Sequence, residues 1–302
     1  MEEMLRDILK QNRPNLTEKS VKTYVSLLKK IMNDLKFDKV SDLEQTDKVM
    51  NYLKDMPSNK RKTRLSALVV VTGEADYSKK MGEDIKNFND EVAKQEKSVG
   101  EKQAWLSKNE ILDIWNRHKK RASAIYRKKD DLTMKDFQDI QNFVLLSLFV
   151  LIPPRRAMDY TEMKVRDVDK SKDNYIKGKQ MIFNVYKTSR SKGQQVVSIP
   201  KDLKAILSKW TRINPHEYLL FDARGGNLSS VKINQRFNKI MGKPNFSVNM
   251  FRHIFLTDKY ADTMKEMGQM EEDLEQMGSS GKQAKTYVKL DEWFASSNVC
   301  GG

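Results

Sequence analysis

FVLLSLFVLIPPRRAMDYTEM, residues 143–163, is the stretch on which the reading of this chain turns. Its first ten residues, 143–152, are apolar except for Ser147. That run falls short of the ~18 apolar residues a membrane-spanning helix needs, so it reads as the end of a buried helix. Pro153 and Pro154 stop it, because proline lacks the amide hydrogen and forces the residue before it out of helical geometry. Two adjacent cations, Arg155 and Arg156, follow at once, and Asp159 lies within the next turn.

Toward the C-terminus the pattern changes to short β-structure. Residues 181–186 and 195–199 read as strands, and the polar, glycine-containing segment from Thr188 to Gly193 joins them as a hairpin. Pro200 ends the pair, helix resumes over 202–210, and helical patterns dominate from there. Toward the N-terminus, Ser107 caps a helix through Leu112 and Trp115, with Glu110 three residues on. Residues 96–104 read as a linker. The region before it is helical. After Thr17, Val21, Tyr24, Val25, Leu28, Ile31, Met32 and Leu35 fall on one helix face, and further helix is expected over 43–56. Another helix carries Lys60, Arg61, Lys62 and Arg64 ahead of an apolar stretch, residues 65–71. The expected fold is mainly α with a small antiparallel β-sheet (α+β), divided into a helical domain over 1–95, a linker over 96–104 and a second domain over 105–302.

Composition narrows the partner. The 302 residues carry 56 Lys and Arg against 41 Asp and Glu, a formal net charge of +15. A surplus of this size, spread along the chain, suits a polyanion whose phosphates release counterions on binding. Three histidines at positions 118, 216 and 253 offer no zinc spacing, and neither a GxxxxGK[ST] loop nor a GxGxxG motif occurs. No cofactor or metal is expected. The single cysteine, Cys300, excludes a disulfide framework and fits a reducing, intracellular home. MEEMLRDILK at the start is acidic and amphipathic and does not read as a secretory signal, and no membrane partner is expected.

Four sequence elements then recur in a recognisable order. Arg156 is followed by Asp159 at plus three and by Asp167 and Asp169 at plus eleven and plus thirteen. Lys187-Thr188 precedes the polar turn, with Lys192 as an alternative lysine. Arg252-His253 follows Asn249-Met-Phe. Met277-Gly278-Ser279-Ser280 precedes Tyr287. Over residues 105–290 this order resembles the catalytic domain of the tyrosine recombinases, the family of phage integrases and Xer-type recombinases. The sequence departs from the family pattern in three places. Pro153-Pro154 replaces the usual Thr-Gly, which leaves Arg155 open as the first arginine. Asn249 stands where the first histidine of H-x-x-R is usual, and Ser279 stands at the histidine of the Leu-Gly-His segment.

The resemblance implies a DNA recombinase or integrase with Tyr287 as nucleophile, forming a 3′-phosphotyrosine intermediate without metal or ATP. Arg156 and Arg252 would hold the non-bridging phosphate oxygens, since a guanidinium binds them bidentately and keeps its charge. Asp159 would orient Arg156, and Lys187 would protonate the leaving 5′ oxygen. Asn249 and Ser279 would donate hydrogen bonds to the phosphate, although neither can serve as a base at neutral pH. Residues 1–95 would be the helical core-binding half of a clamp around double-stranded DNA. The protein would act as a homo-oligomer, dimeric on a site and tetrameric at synapsis, with Trp293 and Phe294 in a tail suited to docking on a neighbouring protomer. The variant arginine segment suggests a divergent mobile-element or large-DNA-virus member. Two other readings stay open: a DNA-binding protein of this fold with impaired catalysis, and a type IB topoisomerase-like relaxing enzyme.

Overall fold

The computed structural model describes residues 1–128 and 131–288. The chain divides into two compact units, Met1–Lys97 and a second one beginning at Ser98.

The first unit is helical: α1 (Glu2–Asn12), α2 (Glu18–Leu35), α3 (Thr46–Leu53), α4 (Ser58–Thr72) and α5 (Ala75–Ala93), with a 3₁₀ turn at Val40–Glu44. Thr17 caps α2 by accepting the Ser20 amide, and the helix buries Val21, Val25, Leu28, Ile31 and Met32, most of the stripe read from the sequence. These residues share a core with Leu5, Leu9, Leu65, Leu68 and Tyr77. The sequence reading singles out no helix over the span of α5. Its polar sequence hides an inward face where Asp84, fully buried, takes two hydrogen bonds from Arg61, Nε to Oδ2 at 2.7 Å and Nη2 to Oδ1 at 2.6 Å. Arg61 Nη1 also donates to the carbonyls of Lys54 and Met56. Arg61 therefore leaves the basic cluster to which the sequence reading assigned it and becomes a structural tie between α4 and α5.

The second unit opens inside the expected linker. Over 96–104, Ser98 and Glu101 form a capping box, and Val99–Ala104 is a helix, α6. The polar composition and Gly100 hid this start. Helix α7 (Lys108–Ile125) begins at Ser107 with the expected capping box to Glu110 and packs on α8 (Met134–Val150). Ser147, the polar residue of the apolar run, is satisfied inside the core: its hydroxyl donates to the Phe143 carbonyl and accepts from Trp115 Nε1 at 2.9 Å. Helix α8 ends at Leu151 before the two prolines, and after them comes the single-turn helix α9 (Ala157–Thr161).

A four-stranded sheet follows: β1 (Met163–Lys164), β2 (Asn174–Lys177), β3 (Gln180–Phe183) and, after the short helix α10 (Ser189–Lys192), β4 (Gln195–Ser198), ordered β1-β2-β3-β4. The β3–β4 pairing is antiparallel, as the hairpin reading expects; β2, outside that reading, pairs antiparallel with β3, and β1 lies parallel to β2, so the sheet is mixed rather than antiparallel. Strand β3 stops at Phe183 rather than continuing to 186. The cause is Asn174, which is fully buried and whose Oδ1 accepts the amides of both Asn184 and Val185 at 2.7 Å, drawing the chain off the ladder. Helix α11 (Lys201–Ile213) buries Leu203, Leu207 and Trp210. It is followed by α12 (Ser230–Met241), α13 (Val248–Gln276) and α14 (Gly281–Tyr287). No described helix is long and apolar enough to cross a membrane.

Candidate active site

The end of α8 and the start of α9 place a charge inside the second unit. Asp159 is 3% exposed, on the inward side of α9. A buried carboxylate needs a charged, hydrogen-bonded partner. The partner is Arg155, whose Nε donates to Asp159 Oδ2 at 2.8 Å. This corrects the sequence expectation that Asp159 orients Arg156. The reason lies in the turn: Arg156 is the extended N-cap of α9, at φ −71° and ψ 150°, so the preceding residue swings inward at i−4 from the acid. Arg155 is held on two further sides. Its Nη2 donates to Gln195 Oε1 of β4 at 3.0 Å, and its guanidinium lies 4.0 Å over the Phe183 ring of β3. The arginine thus ties α9 to the hairpin.

Arg156 and Arg252 belong to the same neighbourhood. Burial pushes the Asp159 carboxyl above its ordinary range, and the charges of Arg155, Arg156 and Arg252 each pull it down. Only Arg155 contacts the carboxylate; Arg156, at the helix end after α8, and Arg252, in the second turn of α13, act on it through their charge. Among the described residues, Asp159 Oδ1 is buried with no hydrogen-bond partner. Three guanidinium groups against one carboxylate leave surplus positive charge, a setting that suits an anion.

The remaining predicted residues lie outside this network. Lys187 is exposed, in a turn closed by Tyr186, whose hydroxyl donates to the Gly193 carbonyl at 2.7 Å. Lys192 is exposed in α10. Asn249 is exposed on the first turn of α13, one turn before half-buried Arg252. His253 points elsewhere, with Nε2 3.6 Å from Glu101 Oε1 of α6. Ser279 donates its hydroxyl to Gln283 Oε1 at 3.0 Å, so it is already engaged. Asp169 forms a local turn with Ser171, and hydrogen bonds there hold its carboxyl down to about 2. Tyr287 is the last residue of α14 and is 61% exposed, and its hydroxyl makes no hydrogen bond to another described residue. Trp293, Phe294 and Cys300 lie outside the described residues.

Two positioning groups escaped the sequence reading. Gln195 was read only as a strand residue. Asn174 binds the Asp159 carbonyl at 3.0 Å and the Val185 carbonyl at 2.8 Å, locking α9 to the hairpin turn. A buried asparagine at a strand start carries no pattern that would reveal this. A separate apolar groove of about 460 Å³, lined by Ile111, Phe149, Phe251 and Phe255 among others, lies between α7, α8 and α13, and its rim ion pair, Lys108–Asp258, satisfies itself.

No family model matches the chain, and no curated protein matches it in sequence. Solved structures of lambda integrase are similar in fold. A dimer of residues 75–356 bound to a COC′ core site is 15% identical, over 85% of this chain and 88% of that one, with a TM-score of 0.45. A tetramer bound to a Holliday junction is 14% identical over 85% and 69%, with a TM-score of 0.43.

Proposed function

We propose that this protein cuts and rejoins double-stranded DNA in the manner of a tyrosine recombinase, with Tyr287 as the nucleophile. The observation that carries the reading is the buried Arg155–Asp159 pair, next in sequence to Arg156, with the charges of Arg156 and Arg252 felt at the same acid. A phosphodiester is the anion that two or three guanidinium groups bind best, and charge develops on its non-bridging oxygens as a nucleophile attacks. The +15 net charge supplies the longer-range attraction to DNA.

In the proposed step the Tyr287 oxygen bonds to phosphorus and the phosphorus–O5′ bond breaks. Lys187 gives its proton to the departing 5′ oxygen, and the tyrosine proton passes to water, because Asn249 cannot take it. Reversal with another strand's 5′ hydroxyl rejoins DNA and needs no outside energy, since the bond energy stays in the phosphotyrosine. The helical first unit serves as the second half of a DNA clamp, and the protein assembles on its site as dimers and tetramers.

The test is a covalent adduct. Duplexes selected from a random library and nicked next to the bound site are incubated with the protein. An SDS-resistant protein–DNA adduct is expected, and Arg252→Ala should lower its formation by about 10²–10³-fold. A second reading, DNA binding without strand chemistry, is favoured by the exposure of Tyr287. Tight duplex binding with no adduct on any nicked site selects that reading.

A further inference from the structure

Helix α13 runs on for six turns beyond Arg252, and residues 256–273 are exposed on nearly every side. Along them Leu256, Tyr260, Thr263, Met267, Met270, Leu274 and Met277 follow at alternating steps of four and three. That is the spacing of a helix–helix seam. Leu256, Tyr260, Met267 and Met270 are between 37% and 52% exposed. Single exposed apolar side chains are ordinary, but a run aligned over about 21 Å of one helix marks a docking face. Its far end is already covered by a helix: α14 folds back on α13, and Leu274 and Ala284 are buried.

The charge around the seam reverses the sign of the molecule. Residues 266–277 contain Glu266, Glu271, Glu272, Asp273 and Glu275 and no Lys or Arg, in a chain of net charge +15. Such a face repels nucleic acid. A second copy of the chain fits poorly in either direction. In parallel register Glu266 would face Glu271 of the copy across the seam, like charge on like. An antiparallel register that sets Met270 against Tyr260 of the copy puts Leu256 on Leu274, which α14 already covers, and the next register leaves Met270 and the acids of 271–275 unmatched. An amphipathic helix with Lys and Arg beside its apolar stripe meets both the methionines and the acids. Methionine side chains adapt to such a helix without a fixed shape.

We infer that the exposed seam of α13 is a docking site for a basic amphipathic helix of a partner protein. The inference stands apart from the proposed strand chemistry, because it uses none of the arginine cluster. The probe is an 18-residue helical peptide of leucine and lysine, with leucine at i, i+3, i+4 and i+7, followed by fluorescence anisotropy with the full chain and no DNA. Saturable binding is expected, weakening as salt rises. The double variant Met267→Glu, Met270→Glu, whose sites are exposed and whose fold is checked by circular dichroism, should bind about tenfold or more weakly. The leucine–glutamate counterpart should not bind. Four results overturn the inference: no saturable binding, equal binding by the double variant, equal binding of the acidic peptide, or a dimer of the protein alone that the double variant dissociates.

Discussion

Arg155 and Tyr287 belong to one proposed reaction and to opposite extremes of structural support. Arg155 is fixed on three sides, by Asp159, by Gln195 and by the face of Phe183. Tyr287 ends a seven-residue helix, 61% exposed. The contrast teaches how the labour is divided. In the proposed reaction the phosphate meets arginines beside a packed ion pair, where charges held in place need no reorganisation when the substrate arrives. The nucleophile of the proposed reaction ends a short helix whose buried side, among the described residues, is only Ala284 against α13, so that proposal leaves its alignment to the bound DNA.

The arginine side of the contrast can be broken most severely. Arg252→Ala should lower adduct formation by about 10²–10³-fold, the cost of one donor to a developing oxyanion, while leaving thermal stability unchanged. Arg252→Lys should recover little of it, because an ammonium cannot reproduce the bidentate fork. Gel quantification of the adduct checks both.

Arg155 and Arg156 should separate by kind of damage. Arg155→Ala leaves Asp159 buried without its hydrogen-bonded cation and should cost about 3–5 kcal/mol in urea unfolding. Arg156→Ala should leave stability almost intact and lose the adduct. If the two variants behave alike in both measurements, the assignment of Arg155 as structural support and Arg156 as phosphate ligand is wrong.

On the tyrosine side, Asn249→His supplies a base one turn before Arg252, where His253 is turned away toward Glu101. Adduct formation should speed up by about tenfold or more, with a pH dependence governed by the new imidazole. An unchanged rate would show that deprotonation of the tyrosine does not limit the reaction.

The smallest effect is a pair of opposite pH slopes. Hydrogen bonds from Lys128 and Thr133 hold the Asp136 carboxyl down to about 2. Its contribution is therefore present above its unfolded value and lost as pH falls from about 4 toward 2. Asp159 is shifted upward by burial. Its contribution is present below the unfolded value and lost as pH rises through the folded one. Melting temperatures should show the Asp136→Asn difference from the parent changing between about pH 4 and 2, and the Asp159→Asn difference changing, with the opposite slope, as pH rises above about 4.

The parts legible in the sequence were those whose signal is a repeated pattern. The α2 stripe, the apolar run ended by Pro153-Pro154 and the hairpin after residue 180 follow from periodicity and proline chemistry. The parts that were hidden turn on single side chains pointing inward against type. Asp84 gives α5 a polar inner face, so its periodicity looks absent. The choice between Arg155 and Arg156 depends on which residue takes the extended N-cap position of α9, and Asn174 shortens β3 from across the sheet. The order of Arg, Lys, Arg and Tyr along the chain is legible, but order does not say which group touches the buried acid, and that group is Arg155.

The most direct test of the central claim is the chemical identity of the linkage. Protein trapped on a nicked duplex is digested with trypsin and nuclease, and the nucleotide-bearing peptide is sequenced by mass spectrometry. A 3′-phosphonucleotide on Tyr287, absent when Tyr287→Phe replaces the parent protein, is the predicted result. A nucleotide on any other residue, or an adduct that survives Tyr287→Phe, would contradict the account.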